Sequence, residues 1–390
     1  MIKTVTARTD EIDDVETAVA EILSQLDPEN SLLSNSVGIL SCYPEFLDSG
    51  VIEALAAALP FELSGITTTL SSIDGYIGHL TLAITVFTSD DVRFATALSG
   101  EILGGSSDPL KLAYGEAAAK LPSAPKLIIA HAPLLLNAAG DTFVSALDEA
   151  SGGVPVFGSL CIGHSDPFSA SRVISGGKGY ANRAALILVC GEIEPKFFRA
   201  SVPPDKIDDE RAVVTKSRGN QLIEVDGMPV LDYLGKYGLV SKEGESYYGM
   251  NTYPFIVDNN DGSVPVIRMA IAITPEGYAA CGGTFPVGST IAIGRIDGDD
   301  VVSESKLVVS EAVLAGGFSF LLVYACVGRQ NCLGYDPERE AETVRDVLGA
   351  AGLSYHLAYA GGELCPVPEK LGGTTLSNRN HNDTLIVCAI

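Results

Sequence analysis

Arg329 and Glu363 each follow an apolar run late in this 390-residue chain. Together they offer the two charges that a free amino acid needs from a binding site. A guanidinium grips a carboxylate bidentately, and a carboxylate takes up an ammonium group. Gly362, just before Glu363, lets the backbone approach a ligand closely. Cys326, three residues before Arg329, places a thiol beside the same spot. Gly65-Ile66-Thr67-Thr68-Thr69 adds hydroxyls and amides after a strand, and Thr67 and Thr68 are suited to holding a carboxylate. The expected ligand-binding set is therefore Arg329, Glu363, Cys326, Gly362, Thr67 and Thr68. Plainer readings stay open. Arg329 can pair with Glu363, Glu338 or Glu340 as a structural bridge, Cys326 can be a core residue, and the threonines can be ordinary strand residues.

Other motifs carry less. Cys161-Ile-Gly-His164 sets a thiol and an imidazole three residues apart, half of a zinc site, but no second ligand pair is spaced to complete it. His131, before Pro133, reads as structural rather than as a base. Gly176-Gly177-Lys178-Gly179 lacks the spacing of a phosphate loop and reads as a hairpin turn. Nucleotide, dinucleotide, hydrolase-elbow and zinc-protease signatures are missing. No catalytic residue, metal or cofactor is expected. The rival from another class is a cysteine enzyme with Cys326 or Cys161 as nucleophile, and a third reading is a scaffold without a pocket.

The composition narrows the classes. Hydrophobic residues make up 46% and charged ones 19%, which describes a globular chain with a large core. A formal charge of −24 repels phosphate backbones and anionic lipid heads, so neither nucleic acid nor a membrane is an expected partner. No apolar leader follows Met1-Ile2-Lys3, and the longest apolar run, near Phe318 to Val327, is too short to span a bilayer. The expected location is the cytoplasm. Eight scattered cysteines do not form a disulfide framework.

The positioning elements follow from periodicity. Ile12 to Leu26 reads as an amphipathic helix reached directly from the N-terminus, Val37 to Cys42 as a buried strand, and Val51 to Leu59 as a helix. Gly65 to Thr69 reads as a loop. Pro109 to Leu121 is expected to be helical, Lys126 to His131 a strand, and Asp141 to Ala150 a helix closed by Gly152. Ala184 to Cys190 and Ile193 to Ala200 suggest a hairpin through Gly191. Pro203-Pro204 and the aspartates after it mark a boundary, giving domains 1–204 and 205–390. Beyond it, Arg211 to Lys216 and Gln221 to Val225 form a hairpin, and Asp300 to Leu314 is mixed strand or helix. Phe318 to Tyr324 is a strand leading into a loop that carries Arg329, with Asp336-Pro337 opening the next helix. The fold expected is α/β (mixed α+β), two domains, each a mixed β-sheet with covering helices. The halves hint at a duplication without a fixed period.

Several segments resemble the FIST family of sensory domains, in order along the chain. GGFSFLLVYACVGRQNCLGYDPERE (316–340) is similar to the family's strand ending in Cys-x-Gly-Arg and the acidic helix after it. RAVVTKSRGNQLIEVDGMPVLDYL (211–234) and YAGGELCP (359–366) resemble the opening and closing elements of its C-terminal domain. SVGILSCY, LSGITTTLSSIDGYIG and VPVFGSLCIGHSD resemble elements of its N-terminal domain. The resemblance covers about residues 36 to 375. It implies a FIST N-like and a FIST C-like domain and a role in signal transduction. A small metabolite, an amino acid being one candidate, would bind at strand-end loops, and the result would pass to a separate signalling protein.

Overall fold

In the computed structural model, which describes residues 2–103, 106–135, 138–164, 169–239, 251–370 and 372–390, the chain repeats one local order three times. Unit one runs β1 (Lys3–Thr9), a helix (Val15–Leu26), β2 (Asn35–Cys42), a helix (Val51–Ala58), β3 (Leu63–Thr67), the hairpin β4 (Ser71–Ile73) and β5 (Tyr76–Gly78), then β6 (Leu82–Ser89). Unit two follows the same plan. It has β7 (Arg93–Leu98), a helix (Asp108–Ala118), β8 (Leu127–Ala132), a helix (Gly140–Ser151), β9 (Val156–Leu160), the hairpin β10 (Val173–Ser175) and β11 (Lys178–Tyr180), and β12 (Ala185–Cys190). Unit three starts at β13 (Lys196–Ala200) and is then interrupted by a small antiparallel sheet. The insertion holds β14 (Ala212–Arg218), β15 (Gln221–Val225), β16 (Met228–Pro229), β17 (Phe255–Asp258), β18 (Val266–Arg268), β19 (Ala270–Ile273), β20 (Ala279–Cys281) and β21 (Thr290–Ile293). The third unit resumes with a helix (Gly298–Ala315), β22 (Phe320–Cys326), helices Val327–Cys332 and Arg339–Ala351, β23 (Ser354–Ala360), the hairpin β24 (Glu363–Pro368) and β25 (Leu376–His381), and β26 (Leu385–Ala389).

The pairing explains why the units cannot stand alone. The sheets run β1-β6-β2-β3-β10-β11, β7-β12-β8-β9-β24-β25 and β13-β26-β22-β23-β4-β5. In each, the one parallel pair (β2 with β3, β8 with β9, β22 with β23) is bridged by a crossover that includes a helix, as parallel strands require. The hairpin of each unit is given away. It completes another unit's sheet by pairing with β3, β9 or β23. The exchange is cyclic, and the mixed α/β architecture expected from sequence is what results.

Side-chain alternation divides the strands between a shared centre and private outer layers. Leu127 and Ile129 enter the central cluster while Ile128 and Ala130 face the second unit's helices. Phe320, Leu322 and Tyr324 do the same against Leu321, Val323 and Ala325. Strands buried on both faces are apolar throughout, which is why these runs stand out in the sequence. Around the axis the units also bond directly at their strand ends. Ile162 N donates to Thr67 O at 3.1 Å, Gly361 N to Leu160 O at 2.9 Å, and Thr68 Oγ1 to Tyr359 O at 2.8 Å.

Several expectations change. Lys3–Thr9 is a strand ahead of the first helix, paired along its whole length with β6. Ala185–Cys190 and Lys196–Ala200 are strands but not a hairpin, because each finds its partners in a different sheet. Gly65, Ile66 and Thr67 lie within β3. Residues 298–315 form one helix, started by a capping box between Asp297 and Asp300. Arg329 sits on a short helix, and the next helix begins at Arg339 after Glu338 rather than at Pro337. The repeat is threefold, not twofold, and the insertion hides its period. The chain leaves the body near Pro203-Pro204, and residues 320–389 return to share two sheets with strands before that point. Gly176 and Gly177, both at positive φ, do form the hairpin turn.

If the axial bonds tie the units together, Thr68→Val should weaken the whole body. The expected loss is about 1 kcal/mol, read as a lower urea midpoint at unchanged slope.

Candidate functional site

The loops after β3 and β9 and the short helix after β22 converge beside the axis and line a cleft of about 360 Å³. Unit one contributes Thr69 and His79, unit two Ile162 and His164, and unit three Gln330 and Asn331. Gln330 is the best-placed polar group. Its carboxamide oxygen accepts from Thr69 Oγ1 at 2.9 Å, which fixes the side chain, while its Nε2 is buried with no partner. His79 has Nδ1 at 3.1 Å from Thr69 O and Nε2 at 3.2 Å from Glu338 Oε1, so both ring nitrogens face oxygen acceptors. The His164 ring meets Tyr43 edge-on at 5.7 Å. Of the VPVFGSLCIGHSD motif, Ser165 and Asp166 lie outside the described residues.

Arg329 faces inward. It is 1% exposed, and its Nε donates to Glu340 Oε1 at 2.8 Å. Nη2 donates to Val301 O at 3.0 Å and Ser305 Oγ at 2.8 Å. Glu340 in turn accepts from Ser305 Oγ at 2.5 Å and from Tyr359 OH at 2.9 Å. Of the partners open at the outset, Glu340 is the one that holds it, and this guanidinium is already engaged. Glu363 is fully buried and not bonded to Arg329. Its Oε2 accepts from Thr384 Oγ1 at 2.7 Å and its Oε1 has no partner. Burial first, then the neighbouring Asp383 charge, hold its carboxyl well above the usual range, against the lowering effect of the Thr384 bond.

The remaining members of the expected set are structural in geometry. Thr67 Oγ1 is tied to the Arg172 backbone, accepting from its N at 2.8 Å. Thr68 Oγ1 bonds Leu70 O and Tyr359 O. Gly362 O accepts from Leu160 N at 2.8 Å. Thr69, the next residue of the same segment, is the threonine that lines the cleft. Cys326 is buried, and burial followed by the Glu363 and Asp383 charges pushes its thiol well up. Cys161 turns into the central core, where burial lifts it to about 11, while His164 turns to the cleft. Neither thiol is placed as a thiolate nucleophile. His131 is neutral and buried, its Nδ1 2.8 Å from Ser64 Oγ and Nε2 2.9 Å from Tyr324 OH, one residue joining all three units.

Gln330 carries no motif and follows the more conspicuous Arg329, so spacing arguments passed over it. Asp383 was missed for a similar reason. It sits in an Asn-Asp turn, ordinarily a solvated feature, yet here it is fully buried at φ 56° with neither carboxylate oxygen bonded.

Two outcomes follow for stability. Arg329→Ala leaves Glu340 buried without its cation and should cost about 3–5 kcal/mol in denaturant unfolding. The pH profile has two limbs. Burial lowers His131 and His356 to about 3, so their contribution is present above about pH 6.5 and is lost as pH falls. Burial raises Asp383 to about 7, so its contribution is present below about pH 4 and is lost as pH rises through 7. The urea midpoint should peak near pH 7, where the two slopes balance, and Asp383→Asn should flatten the alkaline limb.

The FIST N domain matches residues 36–228 and the FIST C domain residues 231–366. No curated protein matches the sequence. Among solved structures, cyanuric acid hydrolase from A. caulinodans is 12% identical, with 100% of this chain and 99% of that one covered at a TM-score of 0.32. Phosphoribosylformylglycinamidine synthase II from Thermotoga maritima is 10% identical, with 99% and 71% covered at a TM-score of 0.21. Likenesses at these scores carry no weight for fold or chemistry. No described helix is long and apolar enough to cross a membrane. With its two domain types following each other over most of its length, the chain belongs to the FIST family, whose domains are sensory domains of signal transduction.

Proposed function

We propose that this chain is a cytoplasmic sensor that binds a small metabolite in the strand-end cleft and passes its bound state to a separate signalling protein. The observation that carries the reading is the Gln330 carboxamide. It is held in place by Thr69, and its second pole is left unpartnered beside the cleft. A buried donor without an acceptor costs about 1–3 kcal/mol, and a ligand oxygen would remove that cost. Its partner is thus a carbonyl or carboxylate. The cleft volume of about 360 Å³ suits a small molecule and lies at the lower end of ligand pockets, about 300–1,000 Å³.

An amino acid remains one candidate, with its carboxylate on Gln330 rather than on Arg329. The Asn331 carboxamide, which also lines the cleft, offers an oxygen for a donor group on the same ligand. The family's sensory role supports the signalling half of the proposal.

A thermal-unfolding screen of amino acids and small carboxylic acids tests the reading. A true ligand at 100 times its dissociation constant should add about 2.7 kcal/mol of stability. Gln330→Ala should cut affinity at least tenfold while leaving the unliganded midpoint nearly unchanged. A screen with no stabilising acid, or a hit whose affinity ignores Gln330→Ala, would end the proposal.

A further inference from the structure

A second set of unpartnered groups, on residues that do not line the cleft, lies where the inserted sheet meets the body. Glu363 Oε1, Asp383 Oδ1, Asp383 Oδ2 and Asn382 Oδ1 are all buried and none accepts a hydrogen bond. Asn382 is no acid, so the set is more than a cluster of carboxylates. Asn382 and Asp383 are consecutive, and Glu363 lies close enough to Asp383 for that charge to raise its carboxyl. A Cβ on Gly328 would stand 3.2 Å from Asp383 Oδ1, and one on Gly362 3.2 Å from Asn382 Nδ2. The inserted sheet forms the cover. Met269 Sδ would stand 2.8 Å from that same Gly328 Cβ, and the Asn382 carboxamide lies against Gly282.

Charge does not balance at this junction. Arg329, Glu340, Glu363 and Asp383 are all buried there; the Arg329 guanidinium donates to Glu340, and that of Arg268 is taken by Asp141. The reach of Arg329 toward Asp383 is to the backbone carbonyl, at 3.5 Å, and not to the carboxylate. Buried carboxylates stay ionised only when paired and hydrogen-bonded, and each orphaned acceptor needs an explanation. When both carboxyls are ionised the set consists of acceptors alone, three of them carboxylate oxygens, and burial opposes that ionisation. Its complement is a compact cation with several N–H donors, and interfaces between domains are where small-molecule sites collect.

We propose that Glu363, Asp383 and Asn382 form a binding site for a primary ammonium group, closed over by the inserted sheet. The inserted sheet is clasped to the body at Arg268, whose Nη2 lies 2.7 Å from Asp141 Oδ1, and at Thr284 N, 2.8 Å from Asp141 Oδ2. Entry therefore requires that this clasp open. The site shares no residue with the Gln330 cleft, so it stands or falls separately from the proposed function.

The test is the thermal midpoint of the whole chain at pH 8, above the value of about 7 to which burial raises Asp383, in chlorides of ammonium, methylammonium, tetramethylammonium and sodium at equal ionic strength. Ammonium or methylammonium should raise the midpoint saturably, by about 3 °C or more. Tetramethylammonium, which has no N–H, should match sodium. Response to ammonium alone assigns the site to the free ion, and response to methylammonium as well assigns it to an amine-bearing metabolite. Asp383→Asn and Glu363→Gln should each fold, with a midpoint in sodium no lower than wild type, and each should lose the response. Equal midpoints in all four salts would mean that only protons or water satisfy these oxygens and would overturn the proposal. So would a response that survives both substitutions.

Discussion

The body depends on one constraint: none of its units can close its own sheet. β3, β9 and β23 would each be an open edge next to a parallel pair, and an open edge of unpaired amides invites association with other chains. Each edge is covered by a hairpin that belongs to another unit. Because the exchange is cyclic, no unit reaches its final pairing until all three have assembled. That requirement brings the segments after β3, β9 and β23 to one axis, where they bond to one another. The cleft is a by-product of this closure, built from residues far apart in sequence.

The second organising feature is the buried guanidinium. Placing Arg329 in the interior costs desolvation that one ion pair does not by itself return, so it is supported by Glu340, Ser305 and the Val301 carbonyl together. These bonds join the helix Gly298–Ala315, the short helix after β22 and the helix Arg339–Ala351, which fixes the backbone that presents Gln330 to the cleft. Arg329 thus acts on the site through position rather than contact. One residue along, Gln330 lines the cleft with its oxygen held by Thr69 and its Nε2 unpartnered.

How much of this was legible in the sequence depended on whether a signal was local. Phe318 to Tyr324 and Lys126 to His131 read correctly because doubly buried strands are apolar at every position. Helices such as Val15–Leu26 and Gly140–Ser151 declared themselves through periodicity. Lys3–Thr9, with alternating threonines and basic residues, is an outer strand whose partner β6 lies some 80 residues on, and nothing near it in sequence announces that pairing. The hairpin exchange and the threefold repeat are long-range facts of the same kind, masked further by the insertion. At the site, residue type drew attention to Arg329, Thr67 and Thr68, but burial decided their roles. Spacing cannot separate a guanidinium aimed at solvent from one aimed at Glu340.

A sensor needs two states that its ligand tells apart. The three sheets of the body are poor candidates for the moving part, since shifting one strains the hairpins it shares with the other two. The inserted sheet is different. It has its own core, from Ala212 to Ile293, and joins the body through two chain crossings and a small apolar cluster around Val202, Ile267, Ile296 and Val301. Beyond those, Arg268, Asp141, Thr284 and Asn380 hold it by a few polar contacts. Interfaces of that kind permit relative motion at modest cost. Val301 belongs to this cluster and also gives its carbonyl to Arg329, whose neighbour Gln330 lines the cleft. Under the proposed function, a ligand on Gln330 would act on a segment bonded to the inserted sheet's apolar attachment, a short, contiguous route by which one could bias the other.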